Sequence, residues 1–188
     1  MGQLIVSEFV TLDGVMEAPG GEPGHPHTGW VIDFMGPEQV GYKRDEALAA
    51  ESPLVGRVTY ESLAEEWVTS PGEFGDKMNA MPKHVVSTTL RNPTWNNSTV
   101  INGDVRAAVT RLQQETSGPI LVIGSRTLVH TLMEHDLVDE YRLMIFPVFL
   151  GSGRRLFPET TRKTVPHLVE SQRWSSGVVV QTYHPVRA

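Results

Sequence analysis

The stretch Pro119–Arg126 constrains this chain more than any other. Ile120, Leu121, Val122 and Ile123 form an unbroken apolar run rich in β-branched residues, which suits a strand covered on both faces of a sheet. The run stops at Gly124, and Ser125-Arg126-Thr127 opens a segment with Leu128, Val129, Leu132 and Met133 at helical spacing. A buried strand, a glycine turn and a fresh helix N-terminus present free backbone N–H groups and a positive dipole end, which together attract phosphate. An ordinary β-turn-α connection that binds nothing would read the same way, so the rest of the chain has to decide.

Composition limits the choices. The 188 residues fit a single domain with a substantial core, and 39% hydrophobic against 20% charged residues marks a globular chain. Sixteen basic and twenty-two acidic residues leave a net charge of −6, with no Lys/Arg run to grip a nucleic-acid backbone. No cysteine is present, so thiol chemistry and disulfides are excluded and the chain fits a reducing cytoplasm. The N-terminus enters a strand pattern without a signal-peptide signature, and no stretch reaches the roughly 20 apolar residues that cross a bilayer.

Along the chain, Leu4 to about Val10 reads as a strand, followed by an Asp13-Gly14 turn and a long Pro/Gly/His loop over residues 17–29. Gly36-Pro37 starts a helix reaching about Ala50, and Pro53–Gly56 is a short buried strand. Thr59 is a reasonable N-cap for a helix ending at Trp67. Residues 70–82 read as polar loop, Lys83–Ser87 and Val100-Ile101 as strands, and Asp104 as the cap of a helix with Val105, Ala108, Val109 and Leu112 on one face. Tyr141–Leu150 is a long apolar strand in which Pro147 implies a bulge or an edge, and Leu168–Trp174 with Val178–His184 reads as a terminal hairpin. Strands alternating with helices, then strands alone, imply an α/β protein: a mixed, mostly parallel sheet, helices on both faces and antiparallel strands at one edge.

Three pieces, in order, resemble one family. Gly56-Arg57-Val58-Thr59-Tyr60-Glu61-Ser62 is similar to the Gly-Arg-x-Thr-aromatic-Glu-Ser element of dihydrofolate reductases, and Val122-Ile123-Gly124-Ser125 stands in place of their Val-Ile-Gly-Gly turn. Leu137–Leu143 with Pro147–Gly151 resembles more closely the reductase domain of the riboflavin-biosynthesis deaminase-reductases, as does Ser7–Val15 with Leu12-Asp13-Gly14. The resemblance implies a dihydrofolate reductase-like three-layer fold and an NADPH-dependent reductase. It also implies roles: Arg57 and Thr59 beside Gly56 on cofactor phosphate, and Ser87 and Thr88 around the adenosine ribose. Ile123, Gly124, Ser125, Arg126, Thr127 and Leu128 would hold the pyrophosphate. Phe9 and Val10 would hold the nicotinamide by strand backbone, with Asp13-Gly14 starting the loop over its ring. Without a cofactor, Arg57 would be a surface ion pair and Thr59 a helix cap.

The departures bear on the substrate. The carboxylate that dihydrofolate reductases carry on the first helix falls near Val40 here, leaving Asp33 and Glu38 as the candidate acids, and Ser125 replaces the second glycine of the turn. The expectation is therefore a reductase of a small pterin- or pyrimidine-like or otherwise conjugated substrate, with dihydrofolate a poor one. A non-catalytic nucleotide-binding or dimer-forming module on the same fold is the alternative. No metal is expected: His25/His27 and His130/His135 lack ligand spacing, and there is no P-loop or nucleophile elbow. Relatives of this kind often pair, so a homodimer using Tyr141–Leu150 is a further expectation, and a buried core strand accounts for the same residues.

Overall fold

The computed structural model describes residues 1–160 and 163–186. Its strands are β1 (Leu4–Thr11), β2 (Ser52–Gly56), β3 (Lys83–Val86), β4 (Ser98–Ile101), β5 (Ile120–Ile123), β6 (Glu140–Phe146), β7 (His167–Arg173) and β8 (Val179–His184). They join one sheet in the order β4-β3-β2-β5-β1-β6-β8-β7. The first six positions in that order run parallel, and β8 and β7 complete the sheet antiparallel. This is the expected mixed sheet with its antiparallel edge.

Among the described residues, five α-helices cover the two faces: α1 (Pro37–Ala49), α2 (Arg57–Trp67), α3 (Gly72–Ala80), α4 (Val105–Glu115) and α5 (Arg126–Glu134). Leu4, Val6 and Val10 of β1 and Ile120 and Val122 of β5 pack with Val109 and Leu112 of α4 and Leu128, Val129 and Leu132 of α5. On the other face Val55 and Val85 pack with Ala47 of α1, Tyr60 of α2 and Met78 of α3. A third cluster, beyond the end of β5, gathers Trp30, Phe146 and Trp174 with half-buried Phe9, Phe34 and Tyr42. Phe9, Trp30 and Phe34 each meet the Phe146 ring nearly edge-on.

Three expectations are corrected. Residues 72–80 are helical, because Phe74 and Met78 have an apolar wall to cover and Gly75 lies under Ser70, whose carbonyl oxygen would be 2.0 Å from a Cβ there. Thr59 does not cap α2; Gly56 holds the N-cap position, in extended backbone. Pro147 ends β6 rather than interrupting it, and β6 is no edge: β1 and β8 pair along its two sides, and a residue without an N–H cannot prolong that ladder. The free edge beside β8 is β7, whose seven residues are all exposed.

Candidate active site

β2 and β5 are neighbours and parallel, so the turns after Gly56 and Gly124 emerge side by side at the carboxyl end of the sheet. The helices that follow leave for opposite faces, α2 with Tyr60 to one and α5 with Leu128 to the other. The strand ends therefore open at a topological switch point, where open α/β sheets bind ligands. Neither helix has a side-chain cap. In α5 the first intrahelical bond runs from Val129 N to the Ser125 carbonyl at 3.0 Å, so the N–H groups of Arg126, Thr127 and Leu128 precede the helical ladder. Two uncapped helix N-termini, one beside the other, add their positive ends at one place.

The junction is tightly knit. Gly124 has φ +62° and Ser125 φ +66°, so the turn needs two successive residues in the left-handed region. The Ser125 hydroxyl accepts the Gly56 N–H at 2.6 Å and donates to Thr59 Oγ1 at 2.8 Å. A Cβ on Gly124 would lie 2.9 Å from Thr59 Oγ1, and one on Gly56 2.7 Å from Ser125 Oγ. The two glycines thus let the turns touch, and a serine accepts the cost of αL for two hydrogen bonds.

Arg57 stands at the first position of α2, ion-paired to Glu61 at 2.8 Å, with both side chains about half exposed (42% and 50%). Such an i,i+4 surface pair is worth only about 0.3–0.5 kcal/mol, so a phosphate can recruit the guanidinium at little cost. Ser87, at the end of β3, accepts the N–H groups of Thr89 and Leu90, while Thr88 is exposed. Ile123 is the last residue of β5, paired with Ser7 of β1. Arg126 donates from Nε to the Arg155 carbonyl at 2.8 Å, which ties α5 to residues 154–156. Phe9 and Val10 lie on the part of β1 that extends beyond β5 and pairs only with β6.

Asp13 binds within the protein. Its carboxylate accepts from the Thr11 hydroxyl and from the Leu150 and Gly151 N–H groups, at 3.3 and 2.7 Å for the latter two. The slight burial would raise its pKa, but these donors together hold it below the ordinary value. Gly14, at φ +84°, completes that turn, and Leu156 donates its N–H to the Gly14 carbonyl. The candidate acids lie elsewhere: Asp33 is exposed in a short 3-10 turn, and Glu38 accepts from the backbone and hydroxyl of Ser175, tying α1 to the β7–β8 turn.

Sequence reasoning missed a charged network where β1 parts from β5. Glu46 of α1 is buried and accepts from Ser7 Oγ at 2.8 Å, Lys43 Nζ at 2.6 Å and Arg142 Nη1 at 3.2 Å. Burial alone would raise its pKa, yet the Lys43 charge and the hydrogen bonds from Lys43 and Ser7 hold it low, so it stays ionised. Lys43 also donates to Ser7 Oγ at 3.1 Å and lies 5.6 Å from the Phe9 ring centroid. Glu8, one residue along β1, is only 4% exposed and its Oε1 has no partner among the described residues. Burial pushes its pKa up to about 8, against the Lys43 charge and the Gly124 N–H, which pull it down. A glutamate inside Leu4-Ile5-Val6-Ser7-Glu8-Phe9-Val10 was the available signal, because that run otherwise reads as core.

Known proteins repeat this architecture. The chain is 30% identical over 187 residues to the uncharacterized protein YyaP of Bacillus subtilis, covering 97% of this chain and 94% of that one. A putative riboflavin biosynthesis protein from Shewanella sp. PV-4 superposes with a TM-score of 0.77 at 20% identity, over 98% of this chain and 99% of the other. Dihydrofolate reductase from Enterococcus faecalis, complexed with NADP(H), superposes with a TM-score of 0.60 at 17% identity, over 99% and 98% of the two chains. The model of the RibD C-terminal domain matches residues 3–180, which take in the strand-end junction, the β1–α1 network and the whole sheet except the last four residues of β8, Gln181–His184. This chain belongs to the RibD C-terminal domain family.

Proposed function

We propose that this protein is an NADPH-dependent reductase that moves hydride to a small heterocyclic or conjugated substrate. The observation that carries the reading is the pair of uncapped helix N-termini, α2 and α5, side by side at the ends of two adjacent parallel strands. The N–H groups of Arg126, Thr127 and Leu128 fit a pyrophosphate, and the absence of a Cβ at Gly124 permits close approach. Arg57, one residue past Gly56, fits the extra phosphate that distinguishes NADPH from NADH. Ser87 and Thr88 at the end of β3 suit the adenosine end, and Phe9 and Val10 the nicotinamide end. NADPH, when bound, supplies the hydride, and the chain orients it. Lys43 and Ser7 hold the Glu46 carboxyl below the ordinary range, which disfavours Glu46 as the proton donor.

Fluorescence titration with NADPH and NADH tests this reading, on the natural protein and on Arg57→Ala. The natural protein is expected to prefer NADPH by about tenfold or more, the scale of one lost charge-assisted contact, and Arg57→Ala to lose that preference. Equal affinities, unchanged in the variant, contradict the role of Arg57; binding of neither nucleotide contradicts the reductase.

A further inference from the structure

The substrate half of the site carries a cation where the cofactor half ends. Ser7 is the last residue of β1 paired to β5, and Phe9 follows two residues on, on the same face of the strand. Lys43 reaches both: its ammonium binds Ser7 Oγ at 3.1 Å and lies 5.6 Å from the Phe9 ring centroid. Of its three donors, one serves Ser7 and one serves Glu46 at 2.6 Å. The side chain is 21% exposed, whereas that of Glu46 is only 2% exposed, so the pair presents its cation to solvent and hides its anion. Arg142 faces Glu46 from β6 at 3.2 Å and is itself paired with Glu140 at 2.6 Å, so two cations balance two anions across the network and no carboxylate in it lacks a cation.

Apolar groups also neighbour that cation. Val40 lies one helical turn before Lys43 on α1 and is 50% exposed. Half-buried Phe9 and Phe34 lead into the closed aromatic cluster. An ammonium with two donors engaged by Ser7 and Glu46 and a third left beside the Phe9 ring suits a flat ligand that carries one anionic or strongly polarised oxygen. A cationic or purely hydrocarbon ligand would leave the third donor unsatisfied.

Resting on the reductase reading, we infer that Lys43 is the specificity-determining residue of the substrate site, donating to an anionic oxygen of a planar conjugated substrate stacked by Phe9. The partition of labour follows: Glu46 and Ser7 hold the ammonium in place, and the ammonium reads the ligand.

The test uses two fluorescent probes, pterin-6-carboxylate and unsubstituted pterin, titrated into the full chain with and without saturating NADPH. Lys43→Met removes the charge, and Lys43→Met combined with Glu46→Gln removes both partners so that no lone carboxylate is stranded in the core. Circular dichroism and the NADPH titration report whether each variant is folded and still binds cofactor. The natural protein is expected to bind the carboxylate at least about tenfold more tightly than pterin, and both variants to lose that difference with NADPH affinity unchanged. Retention of the difference in a folded variant, or its absence in the natural protein, overturns the role of Lys43. Failure to bind NADPH with a Lys43-dependent preference intact overturns the reductase reading alone.

Discussion

At neutral pH the carboxyl of Glu8 keeps its proton, because burial raises its pKa to about 8 from an ordinary 4.5. Above about pH 5 the unfolded chain releases this proton and the folded chain does not, so the folded state binds more protons and stability falls as pH rises. The fall continues until the folded group also ionises near pH 8, and it amounts to a few kcal/mol. Glu8→Gln is uncharged at every pH and is expected to flatten the urea-unfolding stability curve between about pH 5 and 8. Parallel curves for variant and natural protein would show that Glu8 ionises normally. Ser125 makes the second argument at this scale. Ser125→Ala keeps the left-handed backbone but strands the Gly56 N–H, and should cost about 1–2 kcal/mol by the same unfolding measurement. A cost near zero would mean that water replaces the hydroxyl without loss.

At the scale of elements, the sequence was most legible where one local signal suffices. The four apolar residues of β5 demanded a strand buried on both faces, and it lies between β2 and β1. Asp104 caps α4 as expected, its carboxylate accepting the Ala107 N–H at 3.0 Å. The hairpin of β7 and β8 followed from two strand-like segments flanking Ser175-Ser176-Gly177. What stayed hidden depends on contacts distant in sequence. α3 contains Gly72 and Gly75 and looks like loop; it persists because Lys83, fully buried, donates to the carbonyls of Asn79 and Met81 at its C-terminus and to that of Asn96. Thr59 looks like a cap because threonine caps helices, but its hydroxyl is claimed by Ser125, a residue 66 positions later. The candidate site divides in the same way. The turns proposed to bind phosphate were visible as local glycine motifs, whereas the Ser7–Lys43–Glu46–Arg142 network joins three elements and has no local pattern.

At the scale of the whole molecule, one sheet brings two unlike candidate half-sites together. β2 and β5 end in helix N-termini that favour negative charge, while the free end of β1 carries Phe9 beneath a lysine and beside a ring cluster. The strand order makes this possible, because β5 is inserted between β2 and β1 and its helix departs on the opposite face from α1 and α2. A dinucleotide lying along the carboxyl ends of β3, β2 and β5 would finish beside β1, in reach of both halves. Backbone amide NMR with NADPH added measures that placement directly. The largest shift changes are expected at Arg57–Thr59 and Gly124–Leu128, with a second group at Phe9 and Val10. Changes confined to other parts of the sheet, or none with NADPH in large excess, would contradict the account.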